Sequence, residues 1–322
     1  MRFELTKEYL EKIEVAIERQ DNEWLINTLK ELHDADIASI IDELEFEDGA
    51  YLFELLDDET QGDVLVEIDD DVRDHIISTY SSKEIAEQIE NLDSDDAADI
   101  IADLPKNQIA EVISHIQDNE AAEDIVDLLN YAEDSAGGLM QKEFIRAKLD
   151  WPVNRCIIEL RRQAEDVEKV YTIYVVDDED RLVGLLSLKS LLFASQKTKI
   201  SDLYVNKNMI SVKTSDDNED VARIMEKYDL VSVPVINLQN KLVGRITIDD
   251  VVDVIQEEAA EDIMRLAGVG DEELSDDVIS IARSRIGWLA VNLGTAILAS
   301  LVIGMFGVTL EKMVALAVLM PI

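Results

Sequence analysis

A single cysteine, Cys156, and only three histidines stand in 322 residues. No disulfide can close within the chain, and no thiolate or mixed thiolate and imidazole cage for zinc can be assembled. The histidines fall at different phases of the repeat described below and make no common site. Basic residues are few as well: 29 Lys and Arg against 71 Asp and Glu, a formal charge of −42. Such a chain repels a phosphate backbone, which excludes nucleic acid as the expected partner and favours cations. A salt-adapted proteome would also spread acid over every surface for solubility, but that does not explain acid gathered in particular stretches. No Walker loop, G-x-S-x-G elbow or Cys/His zinc pattern is present, so no enzyme is expected. The N-terminus, MRFELTKEYLEKIEVAIERQ, lacks the apolar core of a signal peptide, and the soluble part is expected in the cytosol.

What is present, first, is an internal repeat. Leu44, Leu56, Ile68, Tyr80, Leu92, Leu104, Ile116 and Leu128 stand twelve residues apart. Three positions earlier runs a second apolar column, Ile41, Phe53, Leu65, Ile77, Ile89, Ile101, Ile113 and Ile125. Six positions before the first column the residues are small, Ala38, Ala50, Gly62, Ala86, Ala98, Ala110 and Ala122, with Asp74 the exception. Each of the eight units opens with polar or acidic residues and carries an apolar stripe suited to about two helical turns, too short to be stable alone. The units must therefore stack their stripes, which predicts an all-α superhelix over residues 1–132. One continuous helix is the competing arrangement, and Gly49, Gly62 and Pro105 argue against it.

The paired glycines of DSAGGLM, Asp134 to Met140, close the helical pattern. Beyond them, YTIYVVDDEDRLVGLLSLKSLLFA from Tyr171 reads as strand, acidic turn, strand and helix, and LVSVPVINLQNKLVGRITIDDVVDVI from Leu230 repeats that order. An offset of sixty aligns Val175 with Val235, Leu182-Val183-Gly184 with Leu242-Val243-Gly244, and Ser187 with Thr247.

Next comes DDVVDVIQEEAAEDI, Asp249 to Ile263, with seven carboxylates and no basic residue. On a helix, Val252, Ile255, Ala259 and Ile263 share one face while Asp253, Glu257 and Glu261 run along another. Like-charge pairs at positions 249/253, 253/257, 257/261, 258/262, 250/253 and 258/261 together cost about 1–3 kcal/mol at low salt. The helix dipole relieves only the first turn, and basic residues are too sparse to relieve the rest. Divalent metal is the remaining offset. Carboxylates without Cys or His suit hard cations such as Mg2+ or Ca2+, and with no D-x-[DN]-x-[DN]-G loop a tight calcium cage is not expected. Weak binding of Mg2+ between facing acidic surfaces is.

Finally, IGWLAVNLGTAILASLVIGMFGV, residues 286–308, runs 23 residues without a charge, enough to cross a bilayer. Arg283 and Arg285 precede it, favouring a cytoplasmic N-terminal side. A second apolar run, MVALAVLMPI, starts at Met313 and reads as the beginning of another span.

The two halves at the sixty-residue offset resemble a tandem pair of cystathionine-beta-synthase (CBS) domains, regulatory units of which many bind adenine nucleotides such as ATP. With the acidic array before them, and with WLAVNL and ALAVLMP at the membrane, the chain resembles the MgtE family of magnesium channels across essentially its whole length. The implied fold is multidomain: an all-α superhelix at 1–132, an α/β CBS pair at 133–199 and 200–248, a connecting or plug helix at 249–268, a linker at 269–285, a transmembrane helix at 286–308 and the start of a second at 309–322. The implied function is Mg2+ transport across the cell membrane, with cytosolic domains that sense Mg2+ and close the pore of a homodimer. A nucleotide-sensing CBS module with acid serving only solubility is the alternative. The resemblance assigns Asp250, Asp253, Glu258, Glu261 and Asp262 to acidic plug positions, Glu219 and Asp229 to sensor positions in the CBS pair, and Asp95 and Asp99, through DSDDAAD, to the helical array. No catalytic residue is expected.

Overall fold

The twelve-residue repeat folds as one short helix per unit. The computed structural model describes residues 3–267, apart from residues 91, 164–166, 168 and 169, and residues 290–302. Two helices, α1 (Lys7–Glu18) and α2 (Asn22–Leu29), lead into the array. Eight more follow: α3 (Asp34–Asp42), α4 (Phe46–Phe53), α5 (Asp58–Glu67), α6 (Asp70–Ile77), α7 (Ser82–Ile89), α8 (Ser94–Ala102), α9 (Lys106–His115) and α10 (Asn119–Leu128). The acidic starts of the units serve as caps and first turns. Asp57 and Asp118 accept backbone N–H bonds at the heads of α5 and α10, and Ser81 with Glu84 forms a reciprocal capping box on α7.

The two apolar columns have different jobs. Ile41, Phe53, Leu65, Ile89, Ile101 and Ile125 are buried inside their helices, where each such side chain contributes roughly 1.5–3 kcal/mol. The other column mostly lies just beyond the helix ends. The N–H groups of Leu44, Leu56, Tyr80, Leu92, Leu104 and Ile116 donate to the carbonyls of Ile41, Phe53, Ile77, Ile89, Ile101 and Ile113, closing each helix with a tight three-residue turn. Helices then pack on the next but one: α3 on α5, α5 on α7, α7 on α9, α4 on α6 and α8 on α10. This is the stacked superhelix that the repeat predicts. The glycines, however, do not break a longer helix. Gly49 and Gly62 lie inside α4 and α5, where an added Cβ would come within 3.3 Å of Ile41 and 3.2 Å of the Gln88 carbonyl. They are contact points between stacked units, and the breaks fall at the turns between helices instead.

The sixty-residue offset is realised as two copies of one small α/β unit. In the first, β1 (Ile145–Lys148) is joined by α11 (Val153–Gln163) to its parallel neighbour β2 (Ile173–Val176), which pairs antiparallel with β3 (Leu182–Leu186) before α12 (Leu188–Phe193). In the second, β4 (Val212–Lys213), α13 (Asn218–Tyr228), β5 (Ser232–Ile236) and β6 (Leu242–Thr247) repeat that topology and lead into α14 (Ile248–Ala267). Val175 stands opposite Gly184 and Val235 opposite Gly244, and a bulge follows each valine. The hairpin turns match as well. Asp180 and Asn240 both adopt left-handed φ near 60°, and Asp177 and Asn237 each accept two backbone N–H bonds from the turn they open. The turns also clasp each other: Leu182 N–H donates to the Asn240 carbonyl at 3.0 Å and Leu242 N–H to the Asp180 carbonyl at 3.1 Å.

A Cβ at Gly244 would lie 2.7 Å from Met140 Sδ and 2.9 Å from the Gln141 carbonyl. Gly244→Ala should therefore destabilise the chain by about 1–3 kcal/mol in urea denaturation, through overpacking against backbone that cannot yield.

The chain divides into two compact units, Met1–Val251 and Val252–Ile322. The acidic segment is helical, as its spacing predicts, but the buried valines of α14 are Val251 and Val254, while Val252, Ile255 and Ile263 are exposed. Residues 290–302, inside the expected membrane span, are helical with every side chain exposed. Among the described residues no helix is long and apolar enough to cross a membrane. The rest of the expected span 286–308, the linker 269–285 and the segment 309–322 lie outside the described residues.

Candidate metal centre

Helix α8 begins against the connection from the array into the α/β pair. Ser94 Oγ donates to Glu143 Oε2 at 2.8 Å and accepts from Lys142 N–H at 2.8 Å. Beside it, Gln141 Nε2 donates to Asp93 Oδ2 and Asp95 Oδ2, each at 3.3 Å. Gln141 itself exchanges backbone bonds with Arg245 on β6. Because β6 runs directly into α14, this contact places Asp249 and Asp250, in the first turn of that helix, near the head of α8. Asp250 Oδ2 accepts from Thr247 N–H at 3.1 Å and Thr247 Oγ1 at 2.8 Å, so its carboxylate also caps α14.

The result is a gathering of acids from three parts of the sequence. Burial holds the carboxyl of Asp95 well above the usual range, helped by Asp96, Asp250, Asp93 and Glu143. Asp96 is pushed up to about 8 by burial and then by Asp250, Asp93, Asp99 and Asp249. Asp99 is raised to about 7 by loss of solvent around its carboxyl, with Glu133, Asp103 and Asp250 adding and Arg73 opposing. The residue as a whole stays exposed, so water screens it more than its neighbours and the weight falls on Asp95 and Asp96. Glu143 is raised by burial and by Asp93, against the bonds from Ser94. Like charges with little water between them each favour the neutral form of the others.

Asp95, Asp99 and Asp250 thus come together from the sequence candidates. Asp93, Asp96, Asp249 and Glu143 join them. The first three lie in the two acidic stretches that single out Asp95 and Asp250, whereas Glu143 stands in QKEF with no local signal. Glu219 and Asp229 lie elsewhere in the fold. Glu219, in the first turn of α13, is ion-paired with Arg223. Asp229 ends the same helix in a left-handed conformation, φ 51°, and is exposed. The strongest charges acting on Asp95, Asp96 and Asp99 come from neither. Asp253 and Glu258 follow Val251 on α14, the first exposed and the second half-buried; the side chains of Glu261 and Asp262 lie outside the described residues.

Among the described residues, no three Asp, Glu, His or Cys side chains converge as a finished metal cage. The cluster nonetheless fits a hard divalent cation. Its donors are carboxylate oxygens, and Asp95 Oδ1 is buried with no hydrogen-bond partner among the described residues, an arrangement that a cation would satisfy. A hydrated Mg2+ contacts only one or two carboxylates directly, so a ready-made cage is not required.

Residues 32–134 match the family "MgtE intracellular N domain", and residues 136–197 and 200–257 match the CBS domain. The cytosolic domain of the Mg2+ channel MgtE in complex with ATP superposes with a TM-score of 0.69 at 32% identity, covering 76% of this chain and 99% of that one. The chain belongs to the MgtE family. The "Magnesium transporter MgtE" of Thermus thermophilus is 37% identical over 202 residues, 62% of this chain and 45% of the relative. That of Enterococcus faecalis is 40% identical over 166 residues, 52% of this chain and 36% of the relative. The chain therefore spans less than half the length of these curated MgtE relatives. Both are transporters by name, and the non-enzymatic reading of the chain stands with them.

Proposed function

We propose that the chain is the Mg2+-sensing cytosolic region, together with the start of the membrane domain, of a protein that carries Mg2+ across the cell membrane. The carrying observation is the meeting of Asp95, Asp96 and Asp99 on the array with Asp249 and Asp250 at the head of α14. Two unit charges 6 Å apart repel by about 3 kcal/mol at an effective dielectric near 20. When divalent cations are scarce, these carboxylates therefore push the array away from the start of α14. When cations are abundant, the same carboxylates hold them and the compact arrangement prevails, since only differential affinity for the two arrangements shifts the population. Compact corresponds to a closed pore, which gives negative feedback on magnesium entry.

Asp253, Glu258, Glu261, Asp262, Glu219 and Asp229 enter the proposed ligand set through the family pattern, and the protein is taken to work as a homodimer. The exposed apolar helix at 290–302 supports placement of this end in a bilayer. In liposomes reconstituted with the full-length protein, Mg2+ flux should fall as Mg2+ rises on the cytosolic face at fixed ionic strength. Flux indifferent to cytosolic Mg2+ would sink the sensor, and absence of flux at any concentration would sink the transport reading.

A second reading is favoured by the ATP complex of the similar cytosolic domain: the CBS pair of this chain also binds an adenine nucleotide. Calorimetry with ATP in the absence of Mg2+ separates the two ligands.

A further inference from the structure

Gln141 is 4% exposed and Arg245 3% exposed, and the two are locked together by three bonds. Gln141 N–H donates to the Arg245 carbonyl at 2.9 Å, Arg245 N–H to the Gln141 carbonyl at 3.0 Å, and Arg245 Nε to Gln141 Oε1 at 2.5 Å. A guanidinium only donates, so it takes the amide oxygen and leaves the amide NH2 facing Asp93 and Asp95. That NH2 bonds Oδ2 of Asp95, a residue itself only 5% exposed, while Oδ1 of the same carboxylate is buried without a hydrogen-bond partner among the described residues. The two oxygens of Asp95 are therefore not equivalent: one is tied and the other is bare. Tied in this way, the carboxylate is restrained from turning both oxygens to one ion.

We propose that Gln141 is a positioning residue of the cation site: anchored by Arg245, its amide fixes Oδ2 of Asp95 so that Oδ1 is the atom presented to a divalent cation. The inference rests on the reading of Asp95 as a cation ligand. It assigns to Gln141 the part that outer-shell partners play at metal sites, orienting a ligand that they do not replace. It also sets a preference. A carboxylate held to one oxygen suits the small octahedral Mg2+, whereas Ca2+ readily takes carboxylates through both oxygens. Releasing Asp95 should weaken Mg2+ and spare Ca2+.

Equilibrium dialysis of the full chain in detergent, with MgCl2 or CaCl2 as the probe at constant ionic strength, tests this. Gln141→Met removes the clamp together with the bond to Arg245 Nε; Gln141→Ala, which leaves room for a water at that nitrogen and keeps the Arg245 charge in place, guards against a folding failure. Both variants should raise the Mg2+ dissociation constant about tenfold, as outer-shell losses do, while the Ca2+ constant moves by less than about threefold. A merely structural role would weaken both cations alike, and that result, or no change for either, overturns the proposal. Asp95→Asn is measured alongside. If Asp95→Asn weakens Mg2+ and the Gln141 variants do not, the positioning role fails while Asp95 stands as a ligand. If Asp95→Asn leaves Mg2+ binding unchanged, the ligand reading fails and the positioning role with it.

Discussion

Replacing Asp95, Asp96 and Asp250 together by Asn should raise the melting temperature of the chain in EDTA by about 10 °C and abolish most of its further rise on adding Mg2+. Asp95 and Asp96 carry raised carboxyl pKa values, Asp96 at about 8, chiefly from burial and then from neighbouring acids, with Asp250 acting on both. Each pKa unit corresponds to about 1.4 kcal/mol, so ionising the cluster opposes the compact fold by several kcal/mol, and a change of about 1 kcal/mol moves the melting temperature of a unit this size by roughly 2–4 °C. Asparagine keeps the shape and an acceptor oxygen for Gln141 and Thr247, but it removes the charge. The variant should resist protease without metal, a resistance that the native chain is expected to show only with metal. A fall in melting temperature in EDTA would mean that these carboxylates are net stabilising and would falsify the repulsion account.

The second large effect is a pH dependence opposite to that of a surface rich in ion pairs. Asp96 at about 8 and Asp99 at about 7, with Asp95 and Glu143 also raised, bind protons more tightly folded than unfolded. Their contribution to stability is fully present below the unfolded pKa near 4 and is lost as pH rises through about 7 to 8. Metal-free chain should therefore lose melting temperature steadily from pH 5 to about pH 8. Carboxylates with lowered values, such as Asp57 and Glu84, which accept helix-capping bonds, act only below about pH 4 and do not enter this window. Saturating Mg2+ should flatten the slope, since a bound cation favours the ionised carboxylates. A melting temperature that is level or rising over this range in EDTA, measured by circular dichroism, would contradict the assignment.

How much of this was legible depends on the range of the interaction. The twelve-residue columns translate directly into helices: α3 through α9 begin twelve residues apart because each unit carries its own polar start and apolar stripe. The offset of sixty likewise reaches down to the paired bulges after Val175 and Val235 and the left-handed Asp180 and Asn240. These features are local and recur. Gly49 and Gly62 read as breakers because sequence shows their low helix propensity, while the close approach of Ile41 and Gln88 that selects them comes from a neighbouring unit. On α14 the buried stripe passes through Val251 and Val254, one residue from the face that spacing suggests, because all of these positions are apolar and only packing chooses among them. Asp95 and Asp250 stand out in dense acidic stretches. Glu143 and Gln141 do not, since nothing around them marks a residue that meets α8 across 46 to 49 positions of chain.

The central claim is that a divalent cation holds the head of α8 to the start of α14. Hydrogen exchange on the full chain, followed through a Mg2+ titration with NaCl adjusted to constant ionic strength, tests it most directly. The account predicts that amides at the head of α8 and at residues 247–251 gain protection together, with one shared midpoint. Protection that follows ionic strength alone, or that changes in one segment without the other, would contradict it.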